Sequence, residues 1–266
     1  MRYNVQKVEN MPTWDPNLYL QFVNERTRPA LDLITHVNAV RPTRIIDLGC
    51  GPGNSTALLR QRWPEANITG LDNSEEMIAA AARAYPTEKW VLGDAASWTA
   101  DCPLDVIFSN AALQWLPDHA VLFPHLLAQL TPTGVLAVQM PSHYESALHQ
   151  VVLEVADAVS WRHRMESSRV ALSKEPPSIY YDILQPLTSH VDMWETEYFH
   201  IVNGPQAIVD WFRGTGLRPF LEALETEEQK QDFEQRVLDG YAQAYPPQKD
   251  GRVLFPFRRL FIVAYK

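Results

Sequence analysis

Cysteine is nearly missing from this chain. Two thiols in 266 residues, Cys50 and Cys102, cannot build a disulfide framework, and neither has His or Cys near it at zinc-ligand spacing, so no metal is expected. Basic charge is short as well. Lys and Arg number 23 against 32 Asp and Glu, a formal charge of −9, and no cluster of Lys/Arg relieves it, which argues against a nucleic acid partner. No apolar run approaches the roughly 18 residues of a bilayer span. The opening MRYNVQKVENMPTWDP lacks the apolar core of about 7–15 residues that a signal peptide needs. Repeats with a period of roughly 20–50 residues are absent too, which excludes solenoids and propellers. What remains is ordinary globular composition, 46% hydrophobic and 21% charged, enough for one large domain or two small ones. The expectation is a soluble protein of a reducing compartment, the cytoplasm, with no membrane contact.

From Arg44 onward, short apolar runs alternate with helical patterns. RIIDL (Arg44–Leu48), NITGLD (Asn67–Asp72), KWVLGD (Lys89–Asp94), LDVIFSN (Leu104–Asn110) and GVLAVQM (Gly134–Met140) read as strands. Between them lie helical stretches from Asn54 to about Arg62, over Ser74–Ala84 with Ser74 as N-cap, and around His119–Leu130. That alternation predicts right-handed crossovers and a doubly wound, mostly parallel α/β sheet covered on both faces. Later segments change rhythm. Residues 145–165 and Ser178–Leu187 look helical, Val191–Val202 alternates like a strand, and Thr226 opens a helix with Gln229 in capping-box register. FRRLFIVAYK closes the chain as a strand. We expect a core of residues 1–140, 178–203 and 252–266 with an N-terminal lid segment. Residues 141–177 and 204–251 are expected to form a helical cap at one end of the sheet, with ordinary packing on a sheet face as the alternative.

Glycine is sparse, yet three of the 11 fall within five residues, at Gly49, Gly51 and Gly53 of Asp47-Leu-Gly-Cys-Gly-Pro-Gly-Asn54. The loop follows a strand and opens a helix, where missing Cβ atoms permit a tight turn and close approach of a ligand. Asp72, at the end of the next strand, can accept both hydroxyls of a ribose. A dinucleotide fingerprint would need glycine where Asn54 stands, and a P-loop would need a following Lys. Asp47 would repel a pyrophosphate but suits an amino group or a sulfonium. A cationic nucleoside fits better than an anionic dinucleotide.

The DLGCGPGN loop, Asp72, Gly-Asp94-Ala and Ser-Asn110-Ala resemble the motifs of class I S-adenosylmethionine-dependent methyltransferases. The resemblance implies a seven-stranded Rossmann-like fold and S-adenosyl-L-methionine as cofactor, with S-adenosyl-L-homocysteine as product. It implies that the loop from Asp47 through Gly49, Gly51, Gly53 and Asn54 holds the cofactor's amino-acid end. Asp72 would then bind the ribose and Asp94 the adenine amino group, Asn110 would line the methyl-donor cavity, and Asn73 and Ala95 are further cofactor-binding candidates. Met77 would pack on adenine by the same resemblance, or serve as a core methionine on an alanine-rich helix. Further segments, among them Leu113-Gln-Trp-Leu-Pro-Asp-His, Gly134-Val-Leu-Ala-Val-Gln-Met-Pro and Thr215-Gly-Leu-Arg-Pro, resemble the branch of that family that esterifies the small tricarboxylate trans-aconitate.

Such an acid needs no general base, because its carboxyl groups, with pKa near 4, are already nucleophiles at pH 7. None of the eight His sits in a recognisable base position, and no catalytic acid–base residue is expected. Charge disappears during the transfer, so a strong salt bridge to the reacting carboxylate would favour the ground state. Arginine should therefore grip the spectator carboxylates. Arg26, Arg218 and Arg259 are the candidates, each with a plain alternative as an ion-pair residue. Tyr19, with Trp14, is a candidate lid or a hydrophobic staple for the first helix, and Trp115 is either acceptor pocket or packing. Other readings are a methyltransferase for another small or carrier-bound acid, a non-catalytic cofactor-binding protein, and a nicotinamide oxidoreductase, which Asn54 opposes.

Overall fold

The sheet is built from seven strands: β1 (Arg44–Leu48), β2 (Asn67–Asp72), β3 (Lys89–Leu92), β4 (Leu104–Asn110), β5 (Leu130–Pro141), β6 (His190–Val202) and β7 (Val253–Tyr265). A computed structural model describes residues 23–142, 145–172 and 175–266 of the chain. The strand order is β3-β2-β1-β4-β5-β7-β6. Neighbours among β1–β5 pair in parallel, whereas β7 runs antiparallel to both β5 and β6. This is the doubly wound, mostly parallel α/β architecture expected.

Helices α1 (Val23–His36) and α2 (Asn54–Arg62) cover one face, where Leu33, Leu59 and Trp63 meet Ile45, Phe108, Ala137 and Phe261. Helices α3 (Glu75–Ala84) and α4 (His119–Ala128) follow β2 and β4; Phe123 and Leu126 of α4 pack the other face with Ile46, Ile107 and Val138. Local chemistry sets the helix starts. The Ser74 hydroxyl accepts the Met77 N–H at 3.3 Å, and Glu75 and Glu76 sit at the positive end of the α3 dipole. The strand expected at Gly134–Met140 begins earlier, at Leu130. Its register shifts between Leu104 and Val106, so the turn-forming Thr-Pro-Thr-Gly run is carried as an irregularity inside β5.

The remaining helices are α5 (Ala147–Ala156), α6 (Glu166–Leu172), α7 (Pro177–Leu184), α8 (Pro205–Arg213), α9 (Arg218–Glu222) and α10 (Glu227–Ala244). The Thr226 hydroxyl accepts the Gln229 N–H at 3.2 Å to start α10, and the Gln229 side chain reaches back to the Glu225 N–H at 3.1 Å. The helical pattern over 145–165 breaks after Ala156 and resumes only at Glu166, with a single 3₁₀ turn at Arg162–Arg164 between.

Because β7 opposes β5, pairing of Pro141 with Arg259 leaves residues 253–258 projecting past the carboxyl end of β5, alongside residues 197–202 of β6. Val253, Phe255 and Phe257 on that projection join Val152, Phe212, Phe233 and Tyr241 in a third core. The helices of residues 147–172 and 205–244 thus gather beyond the edge where parallel α/β sheets bind ligands. Among the described residues, no helix is long and apolar enough to cross a membrane.

Candidate active site

The glycine loop turns sharply at the tip of β1. The N–H groups of Gly49 and Cys50 both donate to the Leu71 carbonyl, at 2.8 and 3.0 Å. Gly49, Gly51 and Gly53 have φ of +70°, +53° and +94°. At Gly49 a Cβ would lie 2.1 Å from the Ala112 Cβ, so the loop after β4 can close against it only because the side chain is missing. At Gly51 a Cβ would meet nothing within 4 Å; the space it leaves faces open room for a ligand. Gly49, Asn54, Ser55 and Asn110, together with Thr27 and Ala30 of α1, line a narrow cleft beside the loop.

Asp47 is fully buried beneath this loop. Its Oδ2 accepts the hydroxyls of Ser55 at 2.7 Å and Thr56 at 2.6 Å, while its Oδ1 has no partner among the described residues. Burial pushes its pKa up to about 6, with the negative charge of Asp72 adding to the effect against the two hydroxyl bonds. A buried carboxylate oxygen without a donor is the arrangement that a ligand ammonium would complete.

Asp72 is half-buried and engaged at both oxygens: Oδ2 accepts the Gly51 N–H and Oδ1 the Ser74 N–H, each at 2.9 Å. Burial raises its pKa while those bonds oppose the shift. Each oxygen keeps lone pairs for further donors. Asn73 is exposed beside it, and Met77 is 3% exposed on the first turn of α3. Asp94 follows β3, with Oδ1 accepting the Ala96 N–H at 2.9 Å, and Ala95 packs partly buried against the second core. Cys50 is buried and its thiol is pushed up by desolvation, so it supplies no thiolate.

At the tip of β4 the Asn110 Oδ1 is buried without a partner among the described residues. Its register neighbour on β5 is Gln139, and the two side chains lie on the α1 face, as Val106, Phe108 and Ala137 do. Gln139 is fully buried, and neither its Oε1 nor its Nε2 has a partner among the described residues. Ala111 follows with φ +56°, its N–H donating to the Gln139 carbonyl at 2.9 Å. Sequence reasoning missed Gln139, although a glutamine inside GVLAVQM was the one polar break in an apolar run. It missed Thr27 as well, which reads as an ordinary helix residue.

Among the arginine candidates, Arg259 lies on the same face two residues from Phe261, which pairs with Gln139. It is 5% exposed, with its guanidinium 4.3 Å from the Phe257 ring centroid. Arg28, not singled out from sequence, lies 5.0 Å over the Tyr198 ring, whose hydroxyl donates to Asp32 at 2.5 Å. These two cations and burial push His200 down to about 4, burial being the larger cause. Arg28 and Arg259 thus place two guanidinium groups near the β6/β7 end, with the carboxylate of Asp32 beside Tyr198. Arg218 begins α9 and pairs with Glu222 at 2.7 Å. Trp115 is 41% exposed on the 3₁₀ turn Leu113–Trp115 after β4. Tyr19 lies outside the described residues, as does the side chain of Arg26, whose backbone belongs to α1.

The set fits an adenosyl amino acid: an acid with an orphan oxygen under a glycine loop, a helix N-terminus for a carboxylate, and a second acid at the next strand tip. Residues 45–134 match a family model described as a methyltransferase domain. Two relatives, the trans-aconitate 2-methyltransferases of Azoarcus sp. (strain BH72) and Klebsiella pneumoniae (strain 342), are 46% and 48% identical over 256 residues. The match covers 96% of this chain and 100% and 99% of theirs. Among solved structures, a putative methyltransferase from Bacillus halodurans aligns with TM-score 0.57 at 16% identity, over 90% of this chain and 99% of that one. Phosphoethanolamine N-methyltransferase 2 of Haemonchus contortus aligns with TM-score 0.54 at 16% identity, over 90% of this chain and 52% of that one. The last two share the fold; the near full-length matches decide the kinship, and the chain belongs to the trans-aconitate 2-methyltransferase family.

Proposed function

We propose that this chain esterifies one carboxylate of trans-aconitate, with S-adenosylmethionine as methyl donor, in the cytoplasm. The observation that carries the reading is identity of 46–48% spread over 96% of the chain, because it includes the helices beyond the sheet edge as well as the cofactor core. Cofactor cores are shared among many chemistries, and substrate identity lies outside them. Both cysteines are free thiols, which suits a reducing compartment.

When bound, S-adenosylmethionine supplies a sulfonium methyl whose transfer forms a C–O bond as the S–C bond breaks, leaving a thioether and a methyl ester. We assign Asp47, Gly49, Gly51, Gly53 and Asn54 to its amino-acid end, Asp72 and Asn73 to its ribose, and Met77, Asp94 and Ala95 to its adenine. Asn110 lines the transfer cavity. No residue of the chain has to remove a proton, and the buried His119 is committed to Tyr180 at 2.7 Å and to the Leu113 carbonyl at 2.9 Å. What the protein contributes is positioning, worth up to roughly 7–11 kcal/mol in favourable cases. Arg259 is the strongest candidate for a spectator carboxylate, with Arg26, Arg218, Tyr19 and Trp115 as further candidates around the acceptor. We assign residues 141–177 and 204–251 to the cap over it.

The test is incubation with methyl-labelled cofactor and a panel of di- and tricarboxylic acids, scoring base-labile methyl ester. Ester from trans-aconitate supports the reading. Methylation of phenols or amines alone, or of no acid in the panel, overturns it.

A further inference from the structure

A row of buried and half-buried polar side chains crosses the α1 face of four adjacent strands. Asp47 of β1 pairs with Phe108 of β4, Asn110 of β4 pairs with Gln139 of β5, and Gln139 pairs with Phe261 of β7, one same-face step from Arg259. Neighbouring strands lie about 4.8 Å apart and same-face residues about 6.7 Å, so Gln139 is beside Asn110 and about 8 Å diagonally from Arg259, a gap their two side chains together can span. Along this row the charge changes from carboxylate through two neutral amides to guanidinium. A cationic donor followed by an anionic acceptor complements that order.

Gln139 is the anomaly in the row. Buried amides are normally satisfied, and leaving both ends unmet in a closed interior is costly. Yet its Oε1 and Nε2 have no partner among the described residues, and neither does the Oδ1 of Asn110 beside it. The two amides stand side by side without bonding each other. Ala111, held at φ +56°, is tied to the Gln139 backbone at the same spot, and such strain gathers at working sites.

We propose that Gln139 holds the reacting carboxylate, donating from its side-chain amide to one oxygen while the other accepts the methyl group, with Arg259 engaging a second carboxylate one step farther out. A neutral donor suits this position. It orients the nucleophile yet loses little as the carboxylate's charge is cancelled, whereas a guanidinium there would hold the ground state back. The inference rests on the carboxylate-methylation reading above.

The test compares wild type with Gln139→Leu and Gln139→Glu in three measurements: ester formation, calorimetric titration of trans-aconitate into the S-adenosylhomocysteine complex, and melting of the free protein. Gln139→Leu is expected to melt no lower than wild type, because it removes a buried amide with no partner among the described residues. It should bind S-adenosylhomocysteine within about twofold of wild type, and lose about 10- to 100-fold in trans-aconitate affinity and kcat/KM, the worth of one hydrogen bond to a charged group. Gln139→Glu, of the same shape, should lose at least as much by repulsion. Wild-type turnover by Gln139→Leu overturns this inference alone. A melting point well below wild type makes Gln139 a structural residue, and lost S-adenosylhomocysteine affinity makes it a cofactor ligand; either also overturns it. No ester from the wild-type enzyme overturns the parent reading and this one with it.

Discussion

The Asp72 carboxylate accepts the Gly51 N–H at 2.9 Å, so the acid at the tip of the second strand braces the glycine loop at the tip of the first. Its other oxygen holds the Ser74 N–H at the start of α3. One side chain therefore sets the loop and the helix between which a nucleoside would lie. Asp72→Asn keeps one acceptor and turns an NH₂ toward one of those two N–H donors. The expected loss is about 10- to 100-fold in S-adenosylhomocysteine affinity, read by calorimetry.

If Asp47 holds the cofactor's ammonium as proposed, cofactor binding should depend on pH. Its pKa is raised to about 6 from the ordinary 3.8 by burial, so the folded protein holds a proton that the unfolded chain releases, and the free protein loses stability as pH rises from about 4 to about 6. The full difference corresponds to roughly 3 kcal/mol. A ligand ammonium favours the ionised form, so S-adenosylhomocysteine should bind more tightly at pH 7.5 than at pH 5. In Asp47→Asn the affinity should be lower and this rise should vanish. Titrations at three pH values in both proteins decide it; a rise that survives the substitution has another source.

Gly49 tolerates no side chain. Its φ of +70° and the Ala112 Cβ 2.1 Å from where a Cβ would stand put strain and collision at one position. Gly49→Ala should destabilise the protein by at least about 2 kcal/mol and widen the gap between the loops after β1 and β4. Thermal melting with and without S-adenosylhomocysteine reads both effects, and a wild-type melting curve would contradict the account.

Two arginines can be ranked by substitution. Arg259 is buried against Phe257, where Lys can neither stack a planar group nor offer a fork. Arg259→Lys should raise the KM for trans-aconitate by about tenfold or more and leave S-adenosylhomocysteine affinity unchanged. Arg218 already shares its charge with Glu222, so Arg218→Ala should raise the KM less. The reverse order would move the spectator site to α9.

The strand-tip cluster around the glycine loop was legible because its chemistry is local. Asp47, the glycines and Asp72 sit at strand tips that apolar runs and turn residues mark directly, and Ser74 and Thr226 announce the helices they cap. The proposed acceptor half is assembled from register. Gln139 reads as one polar residue in an apolar strand until its pairing with Asn110 and its lack of partners among the described residues are known. Arg28 reads as helix surface charge until β6 brings Tyr198 beneath it. A reversed strand also hides its overshoot, since nothing in FRRLFIVAYK tells that the residues before it leave the sheet.

That overshoot has a mechanical consequence. From Val253 to Tyr265 the strand is zipped to β6 at every position, and it passes from the sheet interior into the helical core above without a break. The ribbon acts as a rigid mast shared by floor and roof, and bending it would rupture a continuous ladder with β6. On that footing, opening toward the proposed site would fall to elements other than this ribbon, with Arg259 anchored midway along it.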